Sequence, residues 1–261
     1  MHYRQNNGTI PLVNLYSPRE FWLICTNKDV TLCARLRKSK NAMNEKRYKE
    51  AFERASEERK EKILEVGIEE FASKGYENAN INVIAKNAGI SIGLMYKYFN
   101  TKEDLFFTCL QRGMSILDKT IDDILKSNDK LLIKAEHLIR AICRLSSKNE
   151  NYIKLYNEIT SQRDSAKAIE FANEIEAKTA QKYIKCITDS LKCGDVRQDM
   201  DPRLFAFFLD NLLTSLQFSY ACDYYRSRFK LYTGVDVEEM DEDQIVRQLL
   251  KFIESAFTFE K

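Results

Sequence analysis

Glycine and proline are scarce in this sequence, with eight glycines and three prolines among 261 residues. Both residue types interrupt helices, so their scarcity favours long helices over a fold rich in turns and short strands. Charged residues make up 31% of the chain and hydrophobic residues 44%, a balance that suits amphipathic helices around a core. The length allows one large helical domain, or a small domain joined to a larger one.

The patterns of membrane and secreted proteins are missing too. The chain has no apolar run of about 18 residues, which a membrane-spanning helix needs, and its start lacks the charged and apolar regions of a signal peptide. Its seven cysteines form no CxxC pair and no cluster at zinc spacing. We interpret them as mostly buried, reduced thiols of a cytoplasmic protein, with Cys186 or Cys193 as a possible regulatory thiol, and expect no metal, cofactor or membrane partner.

Motifs of common enzyme classes are also absent. The chain contains no GxSxG, HExxH, P-loop or glycine-rich dinucleotide pattern, and it has only two histidines. An enzyme is therefore the weaker interpretation. An enzyme without a recognisable catalytic motif and a helical protein-interaction module are the alternatives to the function developed below.

What the chain does contain is a helix-turn-helix pattern in residues 80–102. Counted from Ile81, the fourth, eighth, tenth and fifteenth positions need apolar residues and hold Ile84, Ala88, Ile90 and Met95. Ala85 is small enough to let the two helices cross closely. Gly89 can adopt the left-handed backbone conformation that ends the first helix. Six matches at fixed spacing indicate a DNA-reading motif.

The same stretch is positively charged. Residues 80–102 contain Lys86, Lys97 and Lys102 and no acidic residue. Asn80 and Ser91 are placed to cap the first and second helices of the motif. A second basic run lies upstream and comprises Arg35, Arg37, Lys38, Lys40, Lys46, Arg47 and Lys49. It fits either a DNA-contacting arm or a solvated, mobile tail.

Residues 1–43 differ from the rest of the chain. They hold Pro11, Pro18 and the single tryptophan, Trp22, and show no helical period. We interpret them as an N-terminal extension of uncertain order. It is a loosely docked or disordered extension, a small ordered addition, or an upstream segment that precedes a biological start at Met43.

Helical periodicity continues to the end of the chain. It predicts helices near residues 44–74, 102–126, 129–147, 149–161, 164–193, 201–231 and 241–258, besides the two of the motif. Gly75 should end the first helix, Thr101 should cap the long helix that follows the motif, and Asp201-Pro202 should start another. We predict an all-α protein with a small helix-turn-helix domain over residues 44–105 and a larger helical domain over residues 106–261.

Residues 59–106 closely resemble the TetR family of bacterial transcriptional regulators. Family members show F-x-x-x-G-Y/F, then I-A-x-x-A-G-V/I-S, then G-x-L/I-Y-x-Y/H-F-x-x-K-E-x-L. The matching residues here are Phe71, Gly75, Tyr76, Ile84, Ala85, Ala88, Gly89, Ile90, Ser91, Gly93, Met95, Tyr96, Tyr98, Phe99, Lys102, Glu103 and Leu105. The resemblance covers about one-fifth of the chain.

The resemblance implies a transcriptional regulator that binds double-stranded DNA. It points to a ligand-responsive repressor that acts as a homodimer on a near-palindromic operator, with a dimer contact through residues 201–231 and 241–258. The apolar stripes on those helices are Leu204, Phe208 and Leu212, and Ile245, Leu249, Phe252, Ile253 and Ala256. A small-molecule effector of unknown identity would lie among the preceding helices, with candidate wall residues Phe107, Met114, His137, Tyr156, Phe205 and Tyr220.

Eight residues form the predicted DNA-binding set: Asn80, Ser91, Ile92, Leu94, Tyr96, Lys97, Tyr98 and Lys102. The resemblance assigns Tyr96 and Lys102 to phosphate contacts, which set register. Lys97 is the candidate for a guanine edge. Tyr98 fits either a groove contact or a packing role.

Two positions depart from the family pattern. Members often have Lys or Arg where this chain has Ile92, and Thr or Ser where it has Leu94. Apolar side chains in a major groove can contact thymine methyl groups, so both residues are candidates for reading A·T pairs. One of them packing inside the domain is the alternative.

Overall fold

The computed structural model describes residues 46–161, 169 and 176–257. Every regular element in these ranges is a helix, which confirms the all-α prediction. The eleven helices with defined bounds here are α1 (Glu50–Glu53), α2 (Glu57–Asn78), α3 (Ile81–Asn87), α4 (Ile92–Tyr98), α5 (Lys102–Leu125), α6 (Leu131–Lys148), α7 (Glu150–Ser161), α8 (Ala177–Lys192), α9 (Pro202–Ala221), α10 (Asp223–Thr233) and α11 (Glu242–Phe257). The predicted extension over residues 1–43 lies outside the described residues.

The predicted helix over residues 44–74 is in fact two helices. The chain breaks after α1, and Ser56 caps α2 by accepting a hydrogen bond from the Arg59 amide at 3.4 Å. At the other end Gly75 leaves the helical conformation with φ of 72°, as predicted. The short α1 places Phe52 against Phe99, with ring centroids 4.8 Å apart, so it packs on the end of the motif.

A first core, which we call the reading-domain core, holds the helix-turn-helix together. Its buried members in α2, α3 and α4 include Ile63, Ile68, Phe71, Ile84, Ala85 and Met95. The same core continues into α5 through Leu105 and Phe106, and into α7 through Leu155 and Ile159. The predicted domain boundary at residue 105 thus falls inside α5. The division into residues 44–105 and 106–261 stays a prediction.

A second core, the C-terminal core, forms where α5, α6, α8, α9 and α11 pack together. Its buried residues include Leu138, Ile139, Ile187, Leu209, Leu213, Val246 and Ile253. Each fully buried aliphatic side chain of this kind contributes about 1.5–3 kcal/mol relative to exposure. This core therefore fixes α9 and α11 against the rest of the chain from one side.

The predicted helix over residues 201–231 is also two helices. Asp201 caps α9 by accepting from the Arg203 amide at 2.8 Å, with Pro202 in the first turn, as predicted. At Cys222 the backbone is extended (φ −111°, ψ 124°), and α10 starts at the next residue. No residue of α10 is fully buried, although Tyr225 and Phe229 are partly buried against neighbouring apolar clusters.

None of the described helices combines the length and apolar character needed to cross a membrane. Four cysteines in the described ranges, Cys109, Cys143, Cys186 and Cys222, are buried as free thiols, and Cys193 is an exposed one. Burial raises the pKa of the Cys186 thiol, which makes this residue less reactive than an ordinary surface cysteine.

Candidate nucleic-acid interface and effector cavity

The turn between α3 and α4 has the geometry of a helix-turn-helix. Gly89 has φ of 71°, and the Ile90 amide donates to the Ala85 carbonyl oxygen at 3.0 Å, which closes the end of α3. Ile84 and Met95 are fully buried between the two helices. The scaffold residues inferred from spacing therefore hold α4 against α3.

Both motif helices are capped as predicted. The Asn80 side chain accepts from the Asn82 amide at 2.9 Å, and the Ser91 hydroxyl oxygen accepts from the Leu94 amide at 3.2 Å. Such caps each stabilise a helix by about 0.5–2 kcal/mol. Both residues are exposed, so their predicted DNA contacts stay predictions beside this structural role.

Lys49, which precedes α1, holds the C-terminal end of α4. The Lys49 ammonium donates to the Tyr96 carbonyl oxygen at 2.7 Å, and the Lys49 amide donates to the Tyr98 carbonyl oxygen at 2.8 Å. Lys46 pairs with Glu53, and the Arg47 guanidinium lies 4.7 Å from the centre of the Phe107 ring. These three members of the upstream basic run contact the folded domain, which sequence spacing did not indicate.

The exposed surface of α4 consists of Ile92, Gly93, Tyr96 and Lys97. The partly buried Leu94 packs against the reading-domain core. Tyr98 is only 3% exposed, and its ring centroid lies 5.4 Å from that of Phe52. We therefore propose the packing role for Tyr98 and not the groove contact, because the side chain holds α1 against α4.

Lys102 makes contacts within the protein that its place in the motif did not indicate. Its ammonium donates to the carbonyl oxygens of Tyr76 at 2.8 Å, Glu77 at 3.1 Å and Ala79 at 3.3 Å. An ammonium has three N–H donors, so all of them are used within the protein. We therefore propose that Lys102 is a clamp between the end of α2 and the start of α5 and not the phosphate contact that the resemblance implies.

The charge of the exposed motif surface is positive. Lys86 on α3 and Lys97 on α4 are both exposed, and residues 81–100 contain no acidic residue. Lysine side chains in this arrangement attract DNA phosphates from a distance. The surface formed by Lys86, Ile92, Gly93, Tyr96 and Lys97 is called the reading face below.

A small cavity lies where α5, α6, α7 and α9 meet. Its volume is about 40 Å³, and its lining includes Gly113, Met114, Leu117, Tyr152, Tyr156 and Gln217. The predicted wall residues Met114 and Tyr156 are among them. Since one buried water needs roughly 10–15 Å³, the cavity in this conformation has room for only a few waters.

The other four predicted wall residues do not line this cavity. Phe107 is in the reading-domain core, and Tyr220 is in the C-terminal core. Phe205 packs on Phe257, with ring centroids 5.0 Å apart. His137 is exposed on α6. Helical periodicity identified these positions as apolar or aromatic but did not distinguish a cavity wall from an ordinary core position.

Polar groups lie beside the cavity. The Tyr156 hydroxyl donates to a Glu176 carboxylate oxygen at 2.8 Å. Burial, with the nearby charge of Glu176, raises the pKa of Asp210 to about 6. The two carboxyl groups make the region electronegative. Spacing along the sequence did not reveal this arrangement because it brings together α7, the residue before α8, and α9.

Comparison with known proteins agrees with this geometry. The model of the family described as bacterial regulatory proteins, tetR family, matches residues 63–109, which include both motif helices. Residues 63–109 therefore form a DNA-binding segment of the TetR type. The chain is accordingly a DNA-binding transcriptional regulator.

Relatives and solved structures extend the similarity beyond the motif. An HTH-type transcriptional regulator of Staphylococcus aureus strain USA300 is 25% identical over 172 residues, which cover 62% of this chain and 88% of the relative. YhgD, an HTH-type transcriptional regulator of Bacillus subtilis strain 168, is 27% identical over 167 residues, which cover 62% and 84%. Both relatives are transcriptional regulators and not enzymes.

The fold is also similar to that of a solved regulator. FadR from Bacillus subtilis, determined in complex with stearoyl-CoA, aligns with a TM-score of 0.62 at 18% identity. The alignment covers 75% of this chain and 97% of FadR. The helical part behind the motif therefore shares the fold of that solved regulator.

Replacing Lys102 should affect stability and not the salt dependence of DNA binding. We expect Lys102→Met to lower the thermal unfolding midpoint, since three hydrogen bonds to a charged group are lost. In Lys97→Met, which changes an exposed lysine of the reading face, the midpoint should stay close to that of the wild type. The slope of log affinity against log salt should become shallower by about one unit for Lys97→Met only.

The two variants would be compared by differential scanning calorimetry and by fluorescence anisotropy with random-sequence DNA. A normal unfolding midpoint together with a shallower slope for Lys102→Met would return this residue to the phosphate contacts.

Proposed function

We propose that this regulator is a ligand-responsive repressor that binds a near-palindromic operator as a homodimer. The observation that carries the DNA-binding part is the exposed, acid-free reading face on a rigid helix-turn-helix. One such motif covers a single half-site, so specific binding calls for two copies related by a two-fold axis. The repressor and effector parts of the proposal rest on the family resemblance and on the geometry argued below.

Selecting bound fragments from the source genome tests the proposal directly. We expect enrichment of a few fragments that share a near-palindrome with half-sites about one helical turn, or a multiple of it, apart. The region upstream of the protein's own gene is the first place to examine. Binding without enrichment of any fragment, measured by sequencing the selected pool, would contradict a sequence-specific regulator.

Exposed apolar residues on α9 and α11 support the homodimer. Leu204, Phe207, Phe208 and Phe252 are each more than half exposed. Phe207 and Phe208 are adjacent, with ring centroids 5.8 Å apart. Apolar groups gathered in this way on a surface favour contact with another protein surface.

The proposed dimer face is narrower than the stripes that periodicity predicted. Ile245 and Ile253 are buried in the C-terminal core and are therefore unable to contact a second subunit. On α11 the exposed member of the stripe is Phe252. We therefore place the contact on the outer side of α9, with Phe252 contributing from α11.

A charge introduced on this face should separate the subunits. We expect Phe208→Glu to be monomeric at micromolar concentration, because each dimer would bury two carboxylates among apolar groups. Operator affinity should fall at least about tenfold with the loss of the second half-site. Leu231→Glu on α10 is the matched control, since it makes the same kind of change at an exposed apolar residue and should stay dimeric.

Sedimentation velocity and operator binding would be measured on both variants. A wild-type monomer at micromolar concentration, or a dimeric Phe208→Glu variant, would contradict this placement of the dimer contact.

The effector part of the proposal rests on α7, because one side of this helix lines the cavity and the other packs in the reading-domain core. Tyr152 and Tyr156 line the cavity, whereas Leu155 and Ile159 are buried in the reading-domain core. A carboxylate oxygen of Glu158 accepts from the Tyr76 amide at 3.0 Å. One helix thus contacts both the cavity and the segment that leads into α3.

Close packing at this cavity, between α5 and α7, leaves no space there for a ligand without movement. A β-carbon on Gly113 of α5 would lie 2.0 Å from the Tyr152 ring, so α5 and α7 are in direct contact. Arg112 on α5 in turn binds Glu61 on α2 through two N–H groups, at 2.6 and 3.2 Å. An effector larger than a few waters would have to separate α5 and α7, and both helices are connected to α2.

This arrangement supports a population shift as the mechanism. An effector would bind better to a conformation with a wider cavity, in which α7 has moved relative to α2. Operator affinity falls if that conformation holds the two reading domains at an unsuitable separation. The effector is an unidentified small molecule, and the nearby carboxyl groups of Glu176 and Asp210 disfavour an anionic group at that end of the cavity.

Removing the Glu158 contact should loosen the segment between α2 and α3. We expect Glu158→Ala to speed amide exchange at Tyr76 about tenfold, which corresponds to a loss of roughly 1.4 kcal/mol. Operator affinity should change in the same variant. Glu158→Gln keeps an oxygen acceptor for the Tyr76 amide and should stay close to the wild type in both properties.

Hydrogen–deuterium exchange of the peptide that contains Tyr76, together with operator binding, provides the measurement. Unchanged exchange in Glu158→Ala would show that α7 is not connected to the reading domain through this carboxylate.

A further inference from the structure

The first turn of the recognition helix α4 is apolar on its exposed side. Ile92 is its first residue and is 39% exposed. Gly93 follows, and a β-carbon placed there would meet only the Ser91 hydroxyl oxygen, at 4.0 Å. Leu94 turns toward the reading-domain core. Outside the Ser91 cap, this turn therefore offers one branched aliphatic side chain and a stretch of bare backbone.

Ile92 and Leu94, the two apolar residues that depart from the family pattern, differ in their exposure. Leu94 is partly buried against the core, so its side chain is used for packing. Ile92 is strongly hydrophobic, yet it leaves 39% of its surface exposed on the reading face. Burying that surface against an apolar group on DNA would be favourable, whereas packing within the domain already accounts for Leu94.

Recognition helices contact base edges with residues of their N-terminal part. Hydrogen bonds to those edges come from polar side chains such as Arg, Lys, Asn and Gln, whereas apolar side chains contact the C5-methyl group of thymine. Ile92 has no hydrogen-bonding group in its side chain, so a methyl group is the feature it can recognise. The bare backbone at Gly93 permits close approach to the groove on the same turn.

We propose that Ile92 reads a thymine methyl group in each operator half-site. The first turn of α4 then selects an A·T pair by apolar contact, and Lys97 supplies a polar contact further along the helix. Five residues at a rise of about 1.5 Å separate them by roughly 7.5 Å along the axis. This inference rests on the proposed function, since it concerns the operator that the reading face binds.

Replacing thymine by deoxyuridine tests the contact because it removes only the C5-methyl group and keeps base pairing. The operator found by genomic selection would be synthesised with one thymine at a time replaced symmetrically in both half-sites. Affinities would be measured by fluorescence anisotropy for the wild type, Ile92→Ala and Val83→Ala. Val83 is the matched control because it is another exposed β-branched aliphatic residue of the motif, on α3.

For the wild type we expect one position at which uracil weakens binding about fourfold per half-site, the factor expected for one buried methyl group. Ile92→Ala should bind the thymine operator more weakly and show no further loss with uracil at that position. Val83→Ala should keep the full difference between thymine and uracil. Circular dichroism should show that both variants stay folded, since both changes are at exposed sites.

Wild-type binding that does not change with uracil at any position would overturn the inference. A uracil effect of equal size in the wild type and Ile92→Ala would overturn it too, because the methyl group would then act through another residue or through DNA shape. If the operator is bound tightly and specifically, either of these two uracil results contradicts only the role of Ile92 and leaves the proposed function intact. If genomic selection yields no operator, it is the proposed function that fails.

Discussion

The end of α2 is closed by a single ammonium group, and the position of the reading helices depends on it. Lys102 collects the carbonyl oxygens of Tyr76, Glu77 and Ala79, which have no intrahelical partner at a helix end. Gly75 makes this possible by leaving the helical conformation one residue earlier. Because Lys102 is also the first residue of α5, the joint connects the helix before the motif to the helix after it.

The same joint is in contact with the larger helical part through α7. Glu158 accepts from the Tyr76 amide, so the segment that leads into α3 is fixed from two sides, by a cation on α5 and a carboxylate on α7. The cavity lies on the opposite side of α7, at Tyr152 and Tyr156. A small cavity and a well-packed joint are the properties expected of a conformation that a bound effector would disfavour.

The reading face combines a conventional scaffold with an unusual surface. The scaffold residues Ala85, Gly89 and Met95 are placed as in other helix-turn-helix motifs, and they determine where α4 lies. The exposed residues on α4 then determine what it can recognise, and these include an isoleucine and a glycine in its first turn. Lys49, which clamps the end of α4, reduces the freedom of that helix to adjust to a different groove geometry.

The sequence by itself determined the features that depend on residues a few positions apart. The caps at Asn80 and Ser91, the turn at Gly89 and the start at Pro202 involve hydrogen bonds or backbone preferences within three or four residues, so spacing was enough to predict them. Only the tertiary structure decided which groups meet across the chain. Lys102 and Tyr98 look like DNA contacts in the motif, but one binds carbonyl oxygens some 25 residues away and the other packs on α1. Periodicity identifies an apolar face but not its partner, because a core, a cavity wall and a dimer contact all bury the same kind of side chain.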